Sequence, residues 1–364
     1  MLTYSKSGVD YSLLDPAKRM SQIAGLKTAK NIANTSYKEI SKSRGETAYI
    51  IEATDCYYVL VEEGLGTKNL VAESMRKITG KTYYEVVAQD TVAAIVNDII
   101  CVGAKPLTVL AYWAVGDSKW FADKKRVKNL IDGWKKACDL AGVTWGGGET
   151  PAISDMINPS TIILAGASFG IIKPKKRLIL GDAITAGDVI VLFESNGIHA
   201  NGLSLARKII TRAPKGYESV LPNGRMYGEE LLKPSIIYSK LIADLFANDI
   251  NMHYIVNITG HGWRKLMRAS KQVTYEINFV PPVPELFIFM QKYSGLSDEK
   301  MYSTFNMGVG FALVVSADDA EKVSAISKKN KVKAWIGGKV EKGPKQVIIK
   351  PLNIIYKSNE LGIR

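Results

Sequence analysis

Carboxylates set among apolar residues are the first features of this sequence that suggest chemistry. Over residues 90–102 the apolar positions Val92, Ile95, Val96, Ile99 and Ile100 follow a helical period, interrupted by Asp90, Asn97 and Asp98. On a helix, Asp90 and Asn97 share one stripe, and Asp98 lies beside it. An unpaired buried carboxylate is costly, and one near a helix C-terminus also opposes the macrodipole. Asp98 therefore needs something cationic. Magnesium carrying ATP phosphates meets that need, because it prefers a few carboxylates plus phosphate oxygens; a salt bridge to Lys68 or Lys105 would meet it as well. Glu149, directly after three glycines, is a similar candidate, with capping or plain surface exposure as its alternative.

Glycine-bearing loops recur at strand-to-helix junctions. Gly64, Gly66, Thr67 and Lys68 form one, Gly147, Gly148, Glu149 and Thr150 another, and Thr259, Gly260, His261 and Gly262 a third; a longer one spans residues 195–202. Glycine there lets backbone N–H groups approach an anion, and the helix N-terminus adds positive potential, which is the signature of phosphate binding. The loops match neither the Walker pattern nor G-x-G-x-x-G.

These loops need elements to hold them. Strands are expected over 48–60, 107–114, 162–172, 188–194 and 308–315, the last closing its sheet. Helices are expected over 90–102, 124–140, 203–211, 233–247, 263–268 and 284–293. The charge run 173–177 marks a boundary, which gives a polar arm over 1–45, an N-terminal domain over 46–176 and a C-terminal domain over 177–364. Strands and helices alternate in both halves, so the fold class is α/β, with layers in each of two domains.

The chain has 364 residues, 46% hydrophobic and 23% charged, enough for two cores. No apolar run approaches the ~18 residues of a membrane span, and the polar start (Thr3 to Ser7) does not resemble an export signal. Cys56, Cys101 and Cys138 are far apart, lack a C-x-x-C pair and sit in apolar segments, which suits reduced, buried thiols and a cytoplasmic protein. The net charge of +13 is spread over helical surfaces such as Lys124-Lys125-Arg126. It fits a solubilising surface and a funnel for phosphorylated small molecules better than a nucleic-acid interface, since no aromatic-interleaved basic pattern accompanies it.

A family resemblance appears at the same residues. Gly66-Thr67-Lys68, Asn97-Asp98, Gly147-Gly148-Glu149-Thr150, the run 195–205 (Ser195-Asn196-Gly197-Ile198-His199-Ala200-Asn201 onward) and the run 301–310 (Met301-Tyr302-Ser303-Thr304-Phe305-Asn306 onward) are similar to signatures of the aminoimidazole ribonucleotide synthetase family, also called phosphoribosylformylglycinamidine cyclo-ligases. They stand in the family's order, and the last two are long and specific. The resemblance implies two α/β domains, a homodimer paired through its N-terminal domains into a barrel, and ATP between the domain faces. The implied reaction is ATP-dependent ring closure of formylglycinamidine ribonucleotide. It further implies that Glu63, Asp90, Asp98 and Glu149 surround Mg-ATP, that Lys68 meets phosphate, and that His199 and Asn201 contact substrate or phosphate.

The sequence departs from the family pattern in places. Glu63 replaces an aspartate, the upstream glycine-rich segment is absent, and Pro151-Ala152-Ile153-Ser154 replaces A-E-M-P. Asn257 stands where the family has histidine, while His261 appears four residues later where it has glycine. His261 either takes over a proton-handling or phosphate-contacting role or caps the following helix and faces solvent. A superfamily enzyme with another acceptor, or a non-catalytic nucleotide-binding paralogue, are the alternatives. Against two such relatives, the first cysteine lies in a strand and the chain ends without one.

Overall fold

The protein is described by a computed structural model covering residues 7–361, the side chain of Tyr11 excepted. The polar start (residues 1–6) and residues 362–364, on which two expectations partly rest, lie outside that range.

The arm is structured. Helix α1 (Tyr11–Leu26) is capped by the Asp10 side chain, which accepts from Ser12 N. Its apolar period is weak because α1 lies on the surface, with Leu13, Met20 and Ile23 exposed and Asp15 turned inward. Strand β1 (Lys38–Glu39) then joins the first sheet, which holds β2 (Tyr49–Glu52), β3 (Tyr57–Gly64), β4 (Lys105–Val115), β5 (Thr144–Glu149) and β6 (Ile162–Ile172) in the order β1-β2-β3-β6-β4-β5. All pairings are antiparallel except β4 with β5. Helices α2 (Lys68–Thr79), α3 (Tyr84–Ile100) and α4 (Lys124–Ala141) complete this half, and α3 packs on β3, β6 and β4.

The second sheet contains β7 (Val189–Glu194), β8 (Met252–Asn257), β9 (Thr274–Ile277), β10 (Val309–Val315), β11 (Ala334–Glu341), β12 (Gln346–Ile349) and β13 (Ile354–Lys357), ordered β13-β12-β9-β11-β7-β10-β8. Its helices are α5 (Leu203–Ile209), α6 (Tyr227–Leu231), α7 (Ser239–Ala247), α8 (Glu285–Ser294), α9 (Asp298–Tyr302) and α10 (Ala320–Lys329). β10 does not close the sheet as expected. It is buried throughout between β7 and β8, and four more strands, β11, β9, β12 and β13, extend the sheet beyond β7.

Several segments differ from expectation for local reasons. Residues 62–64 are the end of β3 and residues 146–149 belong to β5, so parts of two expected loops are strands; α2, α6, α9 and α10 had not been expected, and α3 begins six residues before the expected start. The expected helix over 233–247 starts only at Ser239, because the backbone of residues 235–238 is bonded to side chains of α3 and not to a helical ladder of its own. The extended run 233–238 instead latches onto the first domain. Asn97 Nδ2 donates to Ile236 O (2.8 Å), Tyr238 N donates to Asn97 Oδ1 (3.0 Å), and Gln89 Nε2 donates to Ser235 O (2.9 Å). Residues 262–267 form a 3-10 helix. No helix among the described residues is long and apolar enough to cross a membrane. Cys56, Cys101 and Cys138 are free and buried.

Candidate active site

β3 ends in Glu63 and Gly64, and α3 brings Asp98 to the same place. From the other domain, β8 ends in Asn257 and the segment after it supplies Thr259, Gly260, His261, Lys265 and Arg268, while Asn201 enters from the loop before α5. Together with Glu46, Thr47 and Lys18 they line a polar cleft of about 260 Å³ between the domains. Asn257 Nδ2 donates to Asp98 Oδ1 (2.7 Å), and Asn201 Oδ1 accepts from Gly260 N (3.2 Å).

The cleft packs like charges together. Glu63 is hydrogen-bonded to Asp98, and burial followed by the Asp98 charge pushes its carboxyl up to about 7. Lys265 stands opposite, its ammonium disfavoured by burial and supported by Asp98; its Nζ donates to Thr259 Oγ1. Arg268 donates to Gly45 O (2.8 Å) and lies 3.9 Å from Glu46. The cation that Asp98 needs is thus Lys265, not Lys68 or Lys105. Acids on one wall and cations on the other suit a metal–polyphosphate complex.

The pH dependence of that crowding has a definite sign. Unfolded Glu63 ionises near its ordinary value of 4.5, whereas the folded group holds its proton to about 7. The destabilisation is therefore absent at low pH, grows as pH rises from 4.5 to 7 and is complete above 7. Without nucleotide or magnesium, Glu63→Gln should melt several degrees above the wild type at pH 8 and alongside it at pH 4. Superimposable melting curves at pH 8 would show that Glu63 carries no such strain.

Not every expected site residue reaches the cleft. Lys68 and Asp90 are both wholly buried and paired with each other at 2.6 Å. Asp90 Oδ1 also accepts from Ser235 N (2.7 Å), and Lys68 donates to the carbonyls of His199 (3.1 Å) and Lys233 (2.8 Å). They join the domains and leave no open face for a metal or a phosphate. His199 is buried as well; its Nε2 accepts from Asn196 N (3.2 Å) and Ile236 N (3.4 Å), and burial, then the Lys68 charge, pushes it down to about 3. A neutral acceptor in that position organises backbone and is not a proton carrier.

Gly147, Gly148 and Glu149 are exposed at the end of β5 and Thr150 just after it, where Glu149 accepts from Thr150 N (3.0 Å). Gly64 pairs with Ala165, Ala165 with Tyr112 and Tyr112 with Glu149, so Glu149 shares a row with Gly64 three strand spacings away, or ~14 Å at ~4.8 Å each. Among the described residues no group of three or more acidic, histidine or cysteine side chains is placed to hold a metal. The four-carboxylate ring implied by resemblance is not assembled within one chain; Glu63 and Asp98 alone meet. Thr67 Oγ1, before α2, is buried without a hydrogen-bond partner beside the exposed Gly66, an orphan donor that suits a phosphate oxygen.

His261 does not face solvent. It is buried in the cleft in a left-handed conformation (φ 71°), makes no side-chain cap, and its Nε2 lies 3.5 Å from Asp15 of α1. Burial, then Arg264, Lys265 and Lys18, pushes it down to about 3, so it is neutral near pH 7 and too weak a base to titrate there. Its available role is hydrogen bonding. His261→Ala should lower turnover by ~10-fold, the scale of one or two lost hydrogen bonds, without moving the pH profile. His253, held by Asp188 (2.7 Å) outside the cleft, should alter stability and not turnover when changed to Ala. Equal, small effects on turnover from both would make His261 incidental.

Lys18, Glu46, Lys265 and Arg268 had not been expected in the site. Lys265 and Arg268 carried a usable signal, because with Arg264 they place three cations within the buried run Trp263, Leu266, Met267 and Ala269 and so call for acceptors across an interface. Lys18 and Glu46 carried none.

The two sheets and the interdomain cleft define a class. Residues 45–172 match the family described as AIR synthase related protein, N-terminal domain, and residues 185–350 match its C-terminal domain. A phosphoribosylformylglycinamidine cyclo-ligase of Methanocaldococcus jannaschii is 37% identical over 346 residues, 93% of this chain and 92% of that one. One from Methanococcus maripaludis is 36% identical over 342 residues, 94% and 93%. The chain belongs to the phosphoribosylformylglycinamidine cyclo-ligase family. Among solved structures, AaThiL complexed with AMPPCP and TMP is alike in fold (TM-score 0.59, 15% identity, 92% of this chain and 94% of that one). So is the hydrogenase maturation protein HypE in complex with ATP (TM-score 0.55, 16% identity, 74% and 78%).

Proposed function

We propose that the cleft catalyses ATP-dependent ring closure of formylglycinamidine ribonucleotide to aminoimidazole ribonucleotide in the cytoplasm. The observation that carries this reading is the half-buried Glu63 beside the buried Asp98, facing Lys265 and Arg268 across the domain junction, in a chain of this family. An amide oxygen leaves poorly. Transfer of the ATP γ-phosphoryl group to it releases ADP and makes it phosphate; attack of the substrate nitrogen then forms the new C–N bond and expels inorganic phosphate.

The protein's part is alignment and charge stabilisation. Glu63 and Asp98 would hold magnesium, which would neutralise phosphate charge; two carboxylates plus phosphate oxygens satisfy its preference. Lys265 and Arg268 would meet phosphate oxygens from the opposite wall, and Gly64, Gly66, Thr67 and Gly260 would let the chain approach them. Asn201 orients the Gly260 loop. A coupled ADP-release assay with formylglycinamidine ribonucleotide, run beside selenide and thiamine monophosphate, tests the reading. Turnover is expected with the first alone; turnover only with another acceptor would overturn it.

The working unit is inferred to be a homodimer. On the sheet face opposite α3, Leu60, Leu110, Tyr112 and Ile163 are 38–47% exposed, with Phe169 and Ala167 between them in register. A contiguous apolar face of this kind favours association. Sedimentation at micromolar concentration should give twice the 39.9 kDa chain mass, and Leu110→Lys with Ile163→Lys should halve it. A fully active wild-type monomer would contradict the pairing.

A further inference from the structure

A second cavity, of about 410 Å³, opens at the domain junction and shares no lining residue with the cleft. Its floor is apolar, with Ile100 at the end of α3, Pro106 at the start of β4, Leu140 of α4, and Ile242 and Phe246 of α7. Leu140 is 51% exposed, an open apolar wall and not a filled core position.

The rim is cationic. Arg177, on the segment between β6 and β7, is seated against Gly103, whose φ is 86° and where an added Cβ would come 1.9 Å from the Arg177 carbonyl oxygen. Its guanidinium lies over the Phe246 ring, 4.9 Å from the centroid. Arg177 and Lys105 form no ion pair among the described residues, whereas Lys173 is paired with Asp55 (2.5 Å) and Lys240 with Asp244 (2.7 Å). The acid in the lining, Asp139, is held by Lys135 (2.6 Å). The uncompensated charge at the mouth is therefore positive over an apolar floor, and the volume lies within the ~300–1,000 Å³ of small-molecule sites.

We propose that this cavity binds a small amphipathic organic anion, its flat apolar body against Leu140 and Phe246 and its anionic group on Arg177 and Lys105. Such a ligand touches both domains and the end of the helix that carries Asp98.

The test is a fluorescence titration of the full chain with 1-anilinonaphthalene-8-sulfonate, beside the uncharged N-phenyl-1-naphthylamine. One saturable site for the anion is expected, with the neutral dye at least ~10-fold weaker, and Arg177→Gln with Lys105→Gln weakening the anion by a similar factor. Ala243→Phe, which fills the cavity, should remove the site, while Asp98→Asn, in the cleft, should leave it. If near-UV circular dichroism shows that Ala243→Phe disturbs the fold, Leu140→Trp fills the cavity from the opposite wall. Absence of saturable binding, equal binding of the neutral dye, or binding that survives filling in a folded variant would each overturn the proposal.

Discussion

Asp98→Asn should leave a folded protein whose magnesium-dependent ADP release is lower by ~10²–10³-fold or more, the range found when one element of preorganised charge stabilisation is removed. Asparagine occupies the same space and its Oδ1 can still accept from Asn257 Nδ2, so the 2.7 Å interdomain bond survives. Only the charge is lost. With it goes half of the two-carboxylate set that would hold the metal, and Lys265 loses the counter-charge that supports its buried ammonium. The same substitution carries a second signature. The Asp98 charge is the second cause, after burial, of the raised Glu63 carboxyl, so the variant's Glu63 should ionise at lower pH and shift the acid limb of any residual activity downward. Melting curves, residual turnover against magnesium, and its pH profile together test this. Normal turnover would reduce Asp98 to a structural partner of Asn257 and Lys265.

What the sequence disclosed follows from what kind of interaction decides each feature. A carboxylate inside an apolar helical run demands a cation, and that inference holds for Asp98 and Asp90 alike; which cation each receives is a tertiary matter. Lys68 goes to Asp90 because α2 and the latch at 233–238 converge on one turn of α3, and nothing in the spacing of Lys68, Asp90 and Asp98 announces that. Glu149 was a candidate like Asp98 because it follows three glycines, and the resemblance set it beside Glu63. Strand order separates them, and the order β3-β6-β4-β5 is invisible in local pattern. β10 was recognisable as a buried strand from its apolar run, yet its place between β7 and β8 is a matter of long-range pairing that the run itself does not announce. Helix α1 escaped because its inward contacts include the polar Asp15, which leaves the hydrophobic period faint.

The largest stability effect is expected at the domain junction. Lys68→Met should destabilise the folded protein by ~3–5 kcal/mol, the cost of leaving one member of a buried ion pair without its partner. Burial disfavours both charges, lowering Lys68 and raising Asp90, and their mutual attraction at 2.6 Å opposes both shifts. Removing the ammonium leaves Asp90 with Ser235 alone. It also removes two donated bonds, so the carbonyls of His199 and Lys233 lose their partner at the point where the 195–202 loop and the latch meet the first domain. The damage should therefore appear as loosened domain docking, with faster amide exchange across residues 195–202 and 233–238, before either sheet unfolds. A direct phosphate contact predicts the opposite pattern: turnover would fall while stability stayed put. The double variant Lys68→Met with Asp90→Leu separates the cases. Replacing a buried pair by apolar groups is often close to neutral, so most of the lost stability should return, whereas a lost phosphate contact would not be rescued. Recovery of activity along with stability in the double variant would assign Lys68 and Asp90 to the architecture that sets the cleft width, and return of stability without activity would return Lys68 to the list of groups that touch ATP.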